Sequence, residues 1–216
     1  MGNPTPLSRE SIVDAAMDIA RAEGLAGVTM RALAARLDVT PMALYRYIGD
    51  RGELTRLVAD RVGALVRPAA APHDANWEES VRAWATAQRS VLRRYPGLAA
   101  WLMDNGPAGP QAYRLLELLA AALAGAGFDD ARVARGSALI MSWTFSRIAI
   151  EDNADARRNA RRPNRAQAFV TGLDTIDVSV YPTAARVGAE FFTLSMEEIF
   201  ATGLDSIIAG LTTHGT

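Results

Sequence analysis

The chain has no cysteine, no lysine and only two histidines, His73 and His214. Without cysteine there is no disulfide, no thiol nucleophile and no cysteine-held metal. Both histidines fall in segments that read as linker or tail, which leaves no basis for a histidine metal site or a Ser-His-Asp triad. No stretch approaches 18 apolar residues free of charge, so no membrane-spanning helix is expected. The first residues are polar and lack the apolar run of a secretory signal, and a cytoplasmic location is expected. Strand patterning is missing as well: nowhere do apolar and polar residues alternate for any length. No unit of 20–50 residues repeats. All 23 basic residues are arginine. Together with abundant alanine, this reads as coding bias towards G and C rather than as function.

What remains is helical periodicity. The 216 residues, half of them apolar, suffice for one large or two small domains with a sizeable core. The net charge is −1, so the molecule as a whole is no polyelectrolyte binder. Charge placement says more. Residues 28–56 carry Arg31, Arg36, Arg46, Arg51 and Arg56 against Asp38, Asp50 and Glu53, a local excess of two positive charges. A weak overall charge with a basic face suits a site-specific DNA binder better than a nonspecific coat.

The most informative stretch is Thr29 to Asp50. Thr29 is placed to N-cap a short helix, with Leu33 and Leu37 four apart on one face. Asp38 falls at a turn that calls for a left-handed residue, which Asp tolerates. Thr40 is at the N-cap of a second helix and Pro41 at its first position, where a missing N–H costs nothing. Leu44 and Ile48 point inward and leave Met42, Ala43, Arg46 and Tyr47 outside. That is a helix-turn-helix whose second helix can enter a DNA major groove. At eight residues that helix would be roughly 12 Å long.

The run from Ser8 to Leu57 resembles the DNA-binding domain of the TetR-type (tetracycline-repressor-like) transcriptional regulators. Ile12, Ala15-Ala16, Gly24, Val28-Thr29-Met30-Arg31, Leu33-Ala34, Leu37, Val39, Leu44-Tyr45, Tyr47, Asp50 and Leu54 carry the likeness. Asp38 departs from it, since many relatives have Gly there. The segment Phe200 to Leu211 is similar to the end of the tetracycline-repressor type of C-terminal domain. The resemblance implies an all-α homodimer that binds double-stranded operator DNA and answers to a small-molecule effector, with no cofactor. It implies a DNA surface of Thr29, Arg31, Thr40, Pro41, Met42, Ala43, Tyr45, Arg46, Tyr47 and Arg51. Arg31 reaches a base edge in such proteins, and Arg can give two hydrogen bonds to guanine. A phosphate contact is the alternative for Arg31. The place of Tyr45 touches phosphate and that of Tyr47 lies nearer the groove, although Tyr45 as part of the core stays open. Thr40 and Arg51 suit phosphate, the latter opening the fourth helix beside the DNA backbone.

The expected organisation is a helix-turn-helix domain over 1–50, a connecting helix over 51–67, a linker over 68–75 and a ligand-binding and dimerisation domain over 76–216. Ser8 starts the first helix and Gly24 ends it. Asp50 with Glu53, and Asn76 with Glu79, form capping boxes for two further helices. Helices follow around 98–105, 110–124 and 130–151, then a mostly irregular stretch over 152–182, then helices over 183–199 and 202–212. Trp84, Trp101, Met103, Tyr113 and Trp143, with Gln88, Asn105 and Arg147 as polar anchors, are candidates for the wall of an apolar cavity. Core packing is the competing reading for each of the aromatic residues. The Phe200–Leu211 stripe reads as too apolar for water and is assigned with the 130–150 helix to the dimer interface. Arg157, Arg158, Arg161, Arg162 and Arg165 read as a solvated loop, and Glu151, Asp152 and Asp155 as a solubilising run. No catalytic constellation stands out, so an all-helical enzyme is a poor alternative. A regulator controlled by a protein partner is the other.

Overall fold

The computed structural model describes residues 7–68, 76–160, 168, 171–172, 175 and 177–213, leaving aside the side chains of 157–159, 189, 192 and 213. Every regular element among them is helical. One compact unit extends to Ala149 and a second begins at Ile150.

In the first unit, α1 (Arg9–Glu23) is opened by a complete capping box. Ser8 Oγ accepts from the Ser11 N–H at 3.1 Å, and Ser11 Oγ accepts from the Ser8 N–H at 2.9 Å. Gly24 ends the helix at φ 76°, ψ 172°, a conformation essentially confined to glycine. A 3₁₀ turn (Leu25–Gly27) leads to α2 (Met30–Arg36) and α3 (Pro41–Leu44). Helix α4 (Arg51–Leu65) starts from Asp50, whose carboxylate accepts from the Glu53 N–H at 2.7 Å. The Glu53 carboxylate reaches back to the Gly49 N–H rather than to that of Asp50, also at 2.7 Å. Only the Asp50 half of the expected capping box forms; the return bond goes to the preceding residue instead.

Helices α5 (Trp77–Leu92), α6 (Leu98–Asn105) and α7 (Pro110–Gly125) follow, then α8 (Asp130–Asn159). One apolar cluster joins Ile12, Ala16 and Ile19 of α1, Leu33, Leu44 and Ile48 of the reading head and Leu54, Val58 and Val62 of α4. It continues into Leu92, Leu98, Leu115 and Ile148. The head therefore shares its core with the helices that follow the 68–75 segment. The head is also tied to the α5–α6 turn. The Leu25 N–H donates to the Pro96 carbonyl at 2.8 Å, and an Arg21 guanidinium N–H donates to the Tyr95 hydroxyl at 3.1 Å.

The junction of α4 with α7 is a reciprocal cap. Gly109 precedes α7 and offers no side chain to its free N–H groups. Asp60 of α4 supplies the acceptor instead, 2.8 Å from the Gln111 N–H. In return, an Arg114 Nη of α7 donates to the Gly63 and Val66 carbonyls at the end of α4, each at 3.0 Å. Asp60 satisfies an N–H that the start of α7 would otherwise leave unpaired, and Arg114 adds to an end of α4 that the Val66 N–H and Arg67 also help to close, at 3.1 and 3.2 Å.

The second unit holds the end of α8, then α9 (Pro182–Thr193) and α10 (Met196–Thr213). Three expectations are corrected here. Helix α8 does not stop near 151 but runs to Asn159. No Gly or Pro interrupts residues 152–159, and Ala154 and Ala156 favour helix. Glu151 and Asp152 are buried, not part of a solvated run, while Asp155 is half-buried. The stripe Phe200, Leu204, Ile208 and Leu211 is buried within a single chain, so its apolarity is already satisfied without a partner. Of the arginine-rich segment, Arg161, Arg162 and Arg165 lie outside the described residues, and so do His73 and His214.

Asp60→Ala should lower stability by about 0.5–2 kcal/mol, the usual size of a lost helix cap. Gly109→Ala should act in the same direction, because a Cβ there would stand 2.6 Å from the Asp60 carboxylate. Urea denaturation followed by circular dichroism measures both, and unchanged midpoints would show that the cap contributes nothing.

Candidate DNA interface and ligand cavity

The reading head is built by caps and one turn. Thr29 Oγ1 accepts from the Ala32 N–H at 3.1 Å and fixes the start of α2. Asp38, at φ 53°, is the left-handed residue of the turn. Thr40 occupies the N-cap of α3, but its side chain makes no capping bond. Its hydroxyl is left for another partner. The α-helical part of α3 spans four residues rather than eight. Beyond Leu44 the chain tightens: the Leu44 carbonyl accepts from the Tyr47 N–H at 2.9 Å, a three-residue closure, and also from the Ile48 N–H at 3.0 Å. The presented surface is one α-turn followed by a tight turn.

That surface is exposed as a set. Arg31, Thr40, Pro41, Met42, Tyr45, Arg46, Tyr47 and Arg51 face solvent, and Ala43 is half-buried. Met42 is 73% exposed, Tyr45 49% and Tyr47 41%. Tyr45 is therefore not core. Leu44 and Ile48 behind them are buried. Arg51 is held in place, its Nε donating to the Val28 carbonyl at 3.0 Å. Arg31 and Arg46 make no side-chain hydrogen bond or ion pair among the described residues. Their neighbours differ: Arg36 pairs with Asp18 at 2.7 Å, and Arg9 pairs with Glu53.

Within the first unit lies a cavity of about 380 Å³. Its deep wall is Trp84, Gln88 and Leu92 of α5 with Leu115 of α7, and its open side is Met103, Tyr113, Leu116 and Ser142. Phe145 and Met141 of α8 and Ala59, Asp60 and Gly63 of α4 complete it. The Trp84 and Phe145 rings lie 6.4 Å apart at 30°. The Trp84 Nε1–H donates to the Leu115 carbonyl at 2.7 Å, which fixes the indole.

Four of the eight candidate ligand residues, Trp84, Gln88, Met103 and Tyr113, stand on this wall. The other four do not. Trp101 packs against the apolar cluster, and Asn105 is exposed and donates to the Trp101 carbonyl at 2.9 Å. Trp143 and Arg147 face each other, the guanidinium 5.8 Å from the ring centroid. Periodicity places all four on the right helices but cannot say which side each helix turns to the cavity. Sequence reading missed Asp60, Gly63 and Met141. Asp60 and Gly63 had been absorbed into the connecting helix, whose apolar stripe gave no hint of a cavity wall. Among the described residues no three His, Asp or Glu side chains gather to hold a metal, and no helix is long and apolar enough to cross a membrane.

A helix-turn-helix head sharing one core with a cavity-bearing helical body defines a DNA-binding regulator. Residues 12–63 match the model of bacterial regulatory proteins of the tetR family, and residues 69–214 that of the tetracyclin repressor-like C-terminal domain. The chain belongs to this family and is a transcriptional regulator. It is 29% identical over 213 residues to the HTH-type transcriptional repressor DrrR1 of Streptomyces coeruleorubidus, covering 96% of this chain and 78% of that protein. It is 30% identical over 145 residues to an HTH-type transcriptional regulator of Saccharopolyspora erythraea, covering 67% and 61%. Among solved structures it is similar to ActR of Streptomyces coelicolor in complex with actinorhodin, with a TM-score of 0.85, 27% identity and 97% of both chains covered. The complex of ActR with (S)-DNPA gives 0.84 and 26%, over 98% of this chain and all of that one.

Arg31→Ala should relax base preference at one position of each half-site, where a bidentate contact to guanine is worth roughly 1–3 kcal/mol. Arg51→Ala should weaken binding to all sequences and reduce the salt slope by about 1. Selection from a randomised oligonucleotide pool, with titrations at several salt concentrations, separates the two. An unchanged selected sequence for Arg31→Ala would remove Arg31 from base reading.

Proposed function

We propose that the chain is a homodimeric cytoplasmic repressor that binds a two-fold operator and is released from it by a small molecule. The observation that carries this reading is the shared wall of the cavity. Helix α4, which follows directly on the reading head, contributes Ala59, Asp60 and Gly63 to the space where a ligand would sit. A volume of about 380 Å³ falls in the range of small-molecule sites. That ActR is known in complex with actinorhodin and with (S)-DNPA supports a ligand at this place. An open cavity favours a small molecule over a protein partner as the signal.

The DNA surface of this reading is Thr29, Arg31, Thr40, Pro41, Met42, Ala43, Tyr45, Arg46, Tyr47 and Arg51. One such surface reads only a few base pairs, and two-fold pairing doubles the site. The dimer would form through α8, α9 and α10. Leu139, Val187 and Phe191 are large apolar side chains left exposed there, and they replace the Phe200–Leu211 stripe as its apolar contribution. Ligand entry would part α7 from α4 at the Asp60–Gln111 and Arg114–Gly63 bonds and alter the spacing of the two reading heads. Coupling of this kind is usually 1–3 kcal/mol, about 5–150-fold in operator affinity.

Two measurements test the proposal. Sedimentation should find two chains per particle at micromolar concentration without DNA, with an interface above about 2,000 Å²; a monomer would overturn the dimer. A compound that alters tryptophan emission should also release a palindromic operator, because linkage makes the two affinities reciprocal. If a wide panel of metabolites and drugs does neither, control by a small molecule is wrong.

A further inference from the structure

The cavity wall carries chemistry that its shape alone does not. Gln88 is 3% exposed, lines the cavity and makes no side-chain hydrogen bond among the described residues. Its amide offers two donors and an acceptor. It opens on the cavity, where a ligand can pair with it, and a ligand that covered it without pairing would leave it unsatisfied at a cost. The neighbouring indole cannot substitute, because its N–H is already committed to the Leu115 carbonyl. Trp84 therefore presents only ring surface, as does Phe145. Met103 and Met141 add polarizable sulfur, which favours contact with unsaturated rings.

Charge narrows the class further. Among the described residues Asp60 is the one charged residue of the wall, and no arginine lines it. An anionic group carried inside would lose its water, meet no cation and lie near a carboxylate. Arg147, expected as a polar anchor, stands off the wall beside Trp143.

We infer that the cavity takes a ligand whose buried part is an uncharged aromatic ring system bearing a carbonyl or hydroxyl oxygen, and that this oxygen bonds to the Gln88 amide. The inference rests on the reading of this cavity as the effector site.

Three probes of nearly one shape test it with the full-length protein by calorimetry near neutral pH: 2-acetylnaphthalene, 2-isopropenylnaphthalene and 2-naphthoate. The ketone should bind more tightly than the alkene, by about 2–10-fold for one hydrogen bond. It should bind at least about 10-fold more tightly than the carboxylate, which a cavity without a cation disfavours. In Gln88→Leu the ketone should lose its advantage over the alkene, while the alkene binds as before. Naphthoate binding as well as the ketone would overturn the inference, and so would a ketone advantage that survives Gln88→Leu. The order in the unmodified protein is decisive even if that variant folds poorly. Failure of all three probes to bind also overturns it. Operator release by some other compound in the panel would then leave the regulator reading standing without this ligand class.

Discussion

The constraint on which this structure turns is the mutual capping of α4 and α7. A helix leaves its first N–H groups and its last carbonyls without partners; here the start of α7 takes an acceptor from α4, while the end of α4 is closed partly by its own Val66 N–H and Arg67 and partly by α7. Glycine stands at the start of α7, and α4 ends in Leu65-Val66 without a left-handed glycine. Each helix supplies a partner to the other: Asp60 accepts from α7, and Arg114 donates to the end of α4. The position of α4 is thereby hitched to α7. The apolar cluster hitches α4 to α1 and the reading head as well. Anything that shifts α7 acts on the head through these hydrogen bonds as well as through the apolar packing of Leu115 in the shared cluster. The bond from Leu25 to Pro96 forms a second tie, from the head to the turn that opens α6.

The head itself is economical in charge. Several arginines around it are engaged by carboxylates: Arg9 by Glu53, Arg36 by Asp18, and Arg61 near Glu10 and Asp14 at 3.6 and 3.7 Å. Such exposed pairs add little stability. Their effect is to cancel positive charge away from the presented surface while Arg31 and Arg46 stay available on it. A protein of net charge −1 can then meet DNA with a small, located basic patch. Met42 and Ala43 have no polar group and can meet only methyl groups or groove shape. On the proposed reading, sequence discrimination falls on Arg31, the two tyrosines and the two-fold repetition of the site.

Much of this was legible in the sequence where the cause is local. Ser8, Thr29, Asp50 and Asn76 cap the helices they were expected to cap, because capping is decided within four residues. Asp38 takes the left-handed turn for the same reason. What escaped is decided at a distance. Asp60 finds its partner 51 residues away. Trp101 and Trp143 share the helices of the cavity but turn from it. The Phe200–Leu211 stripe was correctly read as buried, yet it is covered within the chain. Apolarity states that a face must be covered and not by what. The short α3 was missed because propensity does not distinguish a continued helix from a three-residue closure.

The magnitudes explain how so small a junction can govern DNA binding. On the proposed reading, operator affinity need change by only about 1–3 kcal/mol for effective control. One helix cap is worth about 0.5–2 kcal/mol, and a hydrogen bond about 0.5–1.5 net. Loss or distortion of the Asp60 cap with one Arg114 bond therefore spans the required range. The rest of the core need not rearrange, and close-packed helices would resist it. A ligand can supply that difference only through contacts that change between the two forms. Ala59, Asp60 and Gly63 are wall residues of α4, so if that helix moves as proposed, contacts with them are the ones that differ. Contacts with Trp84 and Gln88, on a helix that need not move, set how tightly a ligand binds. Those with α4 set how much of that binding is converted into release.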